Sequence, residues 1–218
     1  MTAIPHQTPP AEDPPGPHAR AHRFVAQVRT LCKDDPGKRA ALRSGLGRPV
    51  DDCARMHWVI ADLVPVPDRH YDSTERAYYA IAAMIASVPG PVSAPAHPAQ
   101  TSAMPGTARR NLGECLAQAV EAGLMRESSA ESRLRLLTKQ SVGGLHRHLP
   151  STVRILAGRP EGVDWAQLLV DLTFWERDRP CITRRWLQAF YRTRLRRDQH
   201  SADAADREEH SAAAPAAQ

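Results

Sequence analysis

A chain of 218 residues, 42% of them apolar, is long enough to bury a real core in one or two domains. Its formal charge of +5 joins an acid-only start (residues 1–19) and an acid-rich end (residues 198–218, five acids against Arg207) to a middle, 20–197, that carries +11. No apolar run approaches 18 residues, and the first residues lack the cationic and apolar regions of a secretory signal, so membrane spanning and export are set aside and a cytoplasmic protein is expected.

Residues 1–19 hold six prolines and almost no bulky apolar side chain. They cannot bury enough surface to offset ordering entropy and are read as disordered. Helical spacing then takes over. Phe24, Val25, Val28 and Leu31 form one stripe, and Met56, Val59, Ile60 and Leu63 a second, stopped by Pro65. Tyr78, Ile81, Ala82 and Ile85 form a third, opened by the acids Asp72 and Glu75 and stopped by Pro89. The Pro/Ala/Ser-rich stretch 89–107 reads as a long internal loop or a boundary. Beyond it, Leu112, Leu116, Val120 and Leu124 resume the period, followed by Leu134 and Leu137, then Leu145, Leu149, Val153 and Leu156. Trp165, Leu168, Leu169, Leu172 and Trp175 make the next stripe, and Trp186, Leu187, Phe190 and Tyr191 the last. Ser128-x-x-Glu131 and Asp164-x-x-Gln167 have the form of capping boxes. The tail 199–218 is expected to be disordered. The fold class is therefore all-α, about eight or nine helices in two small packed bundles, residues 20–108 and 109–198, between disordered ends.

The cysteines at 32, 53, 115 and 181 are too widely spaced for a zinc knuckle and read as small hydrophobes. His146 and His148, two apart, cannot both chelate from one helix face, and no HExxH occurs. Ser44-Gly45-Leu46-Gly47 follows no strand, so it ends a helix rather than cradling a nucleotide. Asp51-Asp52 has the character of helix-start charge. No catalytic constellation, metal site or cofactor site emerges, and no enzymatic activity is expected. The large aromatics Trp165, Trp175, Trp186 and Phe190 lie on Leu-rich stripes and read as core.

What remains is cation. The middle segment holds 25 Arg and only three Lys. A GC-rich genome accounts for Arg over Lys but not for a net +11, which points to a polyanionic partner, nucleic acid foremost. Lys38, Arg39, Arg43 and Arg48 form one cluster. Arg109 and Arg110 are expected to open the helix after the loop. Arg133 and Arg135 flank Leu134, and Arg147 and Arg154 stand seven apart on one helix face. Arg184, Arg185, Arg192, Arg194, Arg196 and Arg197 crowd the last helix, where they point all round the axis and also suit the helix dipole. Guanidinium forks bind phosphate by two parallel hydrogen bonds without reading sequence.

The order PGKRAALRSG, ERAYYAIAAMIA, ESRLRLLTKQSVGGLHRHLPSTVRILAG, VDWAQLLVDLTFWE and RRWLQAFYR resembles the small subunit of the type I-E CRISPR Cascade effector complex, over about residues 20–192. The resemblance implies an all-helical, non-enzymatic protein in two small bundles. It further implies partnership with guide RNA and target DNA strands, with other Cascade subunits and with a second copy of itself, its basic face steadying the R-loop. Lys38, Arg39 and Arg43 match the family's basic early-helix motif, and Arg133 the arginine before its Leu-Leu pair. Arg147 and Arg154 fall where basic residues usually occur. The competing reading is a helical scaffold that contacts only protein.

Overall fold

The computed structural model describes residues 16–65, 72–88, 109–159 and 162–213. The start, up to Pro15, and the stretch 89–107 lie outside the described residues. Those described form nine α-helices, one 3-10 turn (Val50–Asp52) and no strand. The helices are α1 (Pro17–Asp34), α2 (Pro36–Arg43), α3 (Ala54–Ile60), α4 (Asp72–Ser87), α5 (Leu112–Glu121), α6 (Glu127–Thr138), α7 (Val142–Leu156), α8 (Trp165–Thr173) and α9 (Trp175–Ala213). None of them is long and apolar enough to cross a membrane.

Local chemistry sets the helix ends. Pro17 and Pro36 stand in the first turns of α1 and α2, where a missing N–H costs nothing. Asp35 ends α1 and caps α2, its carboxylate accepting from the Gly37 and Lys38 amides at 2.8 and 3.0 Å. Asn111, Ser141 and Asp164 cap α5, α7 and α8 in the same manner. The box expected at Ser128 is not formed. Helix α6 begins two residues earlier than that box requires, at Glu127, with Arg126 at the cap position and no side-chain cap. Ser128 therefore lies inside the first turn, and Glu131 turns outward to Arg135 and the Tyr191 hydroxyl. At Asp164 the expected bond forms, to the Gln167 amide at 2.9 Å, but the Gln167 side chain reaches forward to Asp171.

The helices pack in two groups that share one continuous core. Helices α1–α4 contact one another and are joined by α8, which comes from the second half of the chain and lies against α1 and α4. Helices α5, α6, α7 and α9 form the other group, linked to the first through α4 on α7 and α8 on α9. Helix α5 packs tightly on α9, where a Cβ at Gly113 would run into the Trp186 carbonyl. Trp175, Trp186 and Phe190 are fully buried there, with the two indoles 5.0 Å apart. Trp175 belongs to α9 rather than to the stripe of α8.

A buried carboxylate ties α8 to α9. Asp171 accepts from Trp186 Nε1 at 2.7 Å, Gln167 Nε2 at 2.9 Å and Arg185 Nη2 at 3.3 Å. Burial pushes its carboxyl above the usual range, against the pull of these donors.

Helix α9 departs from helical geometry at Asp178, two residues before Pro180, whose ring crowds the preceding turn. It then continues through the region expected to lack structure, from Gln199 to Ala213. The side chains from Leu195 to Ala204 are all exposed. The reasoning that this tail has nothing to bury still describes it, as a helix with no described core beneath it.

Candidate nucleic-acid interface

The cations selected from sequence divide sharply by what their side chains do. Arg39, on α2, is half-buried and turns inward: Nε donates to the Ala86 carbonyl at 3.1 Å and Nη2 to that of Val88 at 2.7 Å. It closes the carbonyl end of α4, where cations are favoured. Lys38 sits 3.9 Å from Asp35, a loose pair at the helix start. Arg43, one turn beyond Arg39, is exposed, and Arg48 is exposed in the turn that leads towards α3.

Arg109 and Arg110 do not open a helix. Asn111 takes the cap position, and the two arginines precede it. Arg110 is drawn into local structure, its amide donating to Asp164 at 3.2 Å and its Nη1 to Gln118 at 2.9 Å. Arg109 is exposed and near His18, whose pKa is lowered first by burial and then by that positive charge.

On α6 and α7, Arg133 is half-exposed, and Arg147 and Arg154 are exposed. Helix α7 carries no Asp or Glu from Val142 to Leu156. Side chains of Arg43, Arg48, Arg109, Arg133, Arg147 and Arg154 form no hydrogen bond or ion pair with another described residue. By contrast, Arg135 binds Glu131, and Arg194 binds Glu127 at 2.9 Å, fastening α9 to α6.

The fold gathers α6 and α7 against each other and sets α2 against α1, α3 and α4. Helix α4 meets both α2 and α7, so it stands between the early cluster and the later one. The nine residues thus fall into three places: α2 with its following turn, the approach to α5, and α6 with α7.

Burial raises the Cys115 thiol to about 11 and lowers His146, beside Arg76, to about 4. Among the described residues no three His, Cys, Asp or Glu side chains converge as metal ligands would. A cavity of about 400 Å³ between α1, α4 and the α8–α9 junction is faced by Arg20, Ser73, Thr74, Glu176 and Arg177, with Arg177 stacked 4.8 Å from the Phe174 ring.

Sequence reasoning passed over Trp58. It stands off the Met56–Val59–Ile60–Leu63 stripe and is 64% exposed, the most exposed large hydrophobic residue described. Its place outside that stripe was the available signal.

A family model for the CRISPR-associated protein Cse2 matches residues 38–191. Two solved chains are similar over nearly their whole length. One, from a structure described as a CRISPR RNA-guided surveillance complex, is 34% identical, with 85% of this chain and 99% of that chain covered and a TM-score of 0.71. The second, from such a complex in a pre-nicking state, is 35% identical, with 84% and 98% covered and a TM-score of 0.70. CasB from M. ruber is 26% identical, with 84% and 98% covered and a TM-score of 0.64. No curated protein matches the chain.

Proposed function

The chain belongs to the CRISPR-associated Cse2 family, the small subunit of type I-E Cascade, and from that we propose that it serves an RNA-guided surveillance complex as a non-catalytic holder of nucleic acid. In this reading its cationic surface lies along the sugar-phosphate of the guide–target and displaced DNA strands and steadies the R-loop. Its neighbours are the guide RNA, the other subunits and a second copy of itself. Guide pairing selects the sequence, so the protein needs charge and not base edges.

The observation that carries this reading is the acid-free helix α7, with Arg147 and Arg154 exposed and unpaired among the described residues and Arg133 unpaired on the adjoining α6. An arginine whose fork is not spent inside the protein can give both parallel hydrogen bonds to phosphate. Arg43 and Arg48 extend the same chemistry to the end of α2. Arg39 contributes from behind, by fixing the end of α4 against α2.

Anisotropy titration of the purified chain with labelled duplex and single-stranded DNA across a salt series tests it. If about five phosphates are neutralised on duplex, log K falls with log salt at a slope of about −4 to −5. The Arg147→Ala, Arg154→Ala double variant should make that slope shallower by about 2. A flat salt response, or no DNA retarded at any salt, would instead favour a scaffold that meets only protein.

A further inference from the structure

Arg76 and His146 face each other where α4 packs on α7, and both hold hydrogen-bonding atoms that nothing in the fold engages. Arg76 is half-buried with its Nε sealed from water, yet its side chain forms no hydrogen bond or ion pair with another described residue. The acids that open α4, Asp72 and Glu75, do not pair with it. His146 is only 4% exposed, and its Nδ1 is buried without a partner. Arg194 makes the contrast: its Nε is buried too, but its fork is bound to Glu127 at 2.9 Å. A buried donor left unspent costs stability, so a ligand that engages it is favoured.

The start of α7 brings more donors to the same place. Ser141 caps the helix through the Gly144 amide at 3.4 Å, which leaves the Val142 and Gly143 amides without an acceptor among the described residues. A Cβ built on Gly143 would stand 3.9 Å from Arg76 Nη1, so the guanidinium lies beside the first turn with no side chain between. Helical side chains lean over the turn before them, which carries the His146 ring back towards Val142 and Gly143. Ser141 is exposed and Val142 and Gly143 are partly so, and the turn can be reached from solvent.

All of these groups can donate. They are a guanidinium, two amides at the positive end of a 15-residue helix, and an imidazole in its Nδ1–H tautomer. A water molecule placed among them would still need acceptors for its own protons. A phosphate brings acceptors alone, with the opposite charge.

We propose that the first turn of α7, with Arg76 reaching across from α4 and His146 behind it, is a phosphate subsite that takes one phosphodiester of a single nucleic-acid strand. The source of the phosphate rests on the function proposed above; the anion chemistry rests on these residues alone. The subsite adds backbone amides and a half-buried arginine to the exposed arginines of α6 and α7.

The test follows the amide resonances of Val142 and Gly143 in the full chain. One arm adds inorganic phosphate against chloride at equal ionic strength, and the other a single-stranded oligonucleotide. Both should move the two amides in wild type and neither should in Arg76→Ala or Gly143→Asp. The aspartate would place its own carboxylate beside Arg76 at the helix start, so this variant should also melt about 2–4 °C higher than wild type. Loss of Arg76 should make the salt slope of single-strand binding shallower by about 0.7. Amides that stay still in both arms overturn the subsite, whatever the exposed arginines do. Amides that move with phosphate while both variants keep the wild-type salt slope overturn the strand as its source, in favour of a free phosphate. Wild type that binds no oligonucleotide while its amides answer phosphate would sink the proposed function and the strand with it, and leave the anion chemistry standing.

Discussion

Arg39 and Arg43 lie four apart on α2, and their alanine variants should fail in different assays. Arg39 donates to two carbonyls at the end of α4, at 3.1 and 2.7 Å, from a half-buried position. Hydrogen bonds from a charged donor contribute about 1.5–3 kcal/mol each, and carbonyls at a helix end recover some water when the donor is cut away. Arg39→Ala should therefore cost about 2–4 kcal/mol of stability, read as a lower urea midpoint at unchanged m-value. Arg39→Lys should recover only part, because one ammonium cannot span both carbonyls as the planar fork does. Arg43 is exposed and unpaired among the described residues, so Arg43→Ala should stay within about 0.5 kcal/mol of wild type. If Arg43 meets a phosphate, its loss should shift the salt slope of duplex binding by about 0.9. The reasoning fails if Arg39→Ala unfolds at the wild-type midpoint while DNA affinity drops, since that would make Arg39 a phosphate ligand after all.

Acidification should loosen the α4–α7 contact through His146. Burial first, and Arg76 second, hold its folded pKa at about 4 against 6.5, so the unfolded chain takes up the proton first and stability falls below pH 6.5, by about 2 kcal/mol at pH 5 and about 3 at pH 4. Asp171, raised by burial, works in the opposite direction, so the measure is the pH profile of wild type minus that of His146→Leu, and a flat difference would refute the assignment. Gly113→Ala should cost about 3 kcal/mol, because the new methyl meets the Trp186 carbonyl, which is backbone and cannot swing aside; calorimetry should show the lowered midpoint. Asp171→Ala leaves Trp186 Nε1 and the Gln167 amide buried without an acceptor and should cost about 3 kcal/mol in chemical denaturation. Asp171→Asn should recover part of this, since its carbonyl still accepts from the indole.

The fold was legible wherever burial is periodic. Phe24, Val28, Ile81, Leu116, Leu149 and Phe190 were placed on apolar stripes by spacing alone, and each is buried. Helix ends were legible only in part, because a cap depends on register. Asp164 precedes its helix and caps it, whereas Ser128 falls one residue inside and cannot. The break between α8 and α9 was missed for a related reason: Trp175 continues the apolar period of α8, so periodicity cannot see where one helix stops and the next begins.

For the site, the deciding quantity was one that sequence does not carry. Nine cations were selected by charge and spacing, but whether a guanidinium is free depends on which carbonyls and carboxylates the tertiary fold brings to it. Arg39 and Arg43 share a helix face in one dimension; in three, α4 ends beneath the first and leaves the second in water. Arg110 and Arg109 divide in the same way, with Gln118 and Asp164 engaging one and not the other. Where a helix bears no acid and its arginines have no described partner, as on α7, the unspent hydrogen-bonding capacity is large and all of one sign. That is the physical condition for gripping a polyanion without reading it.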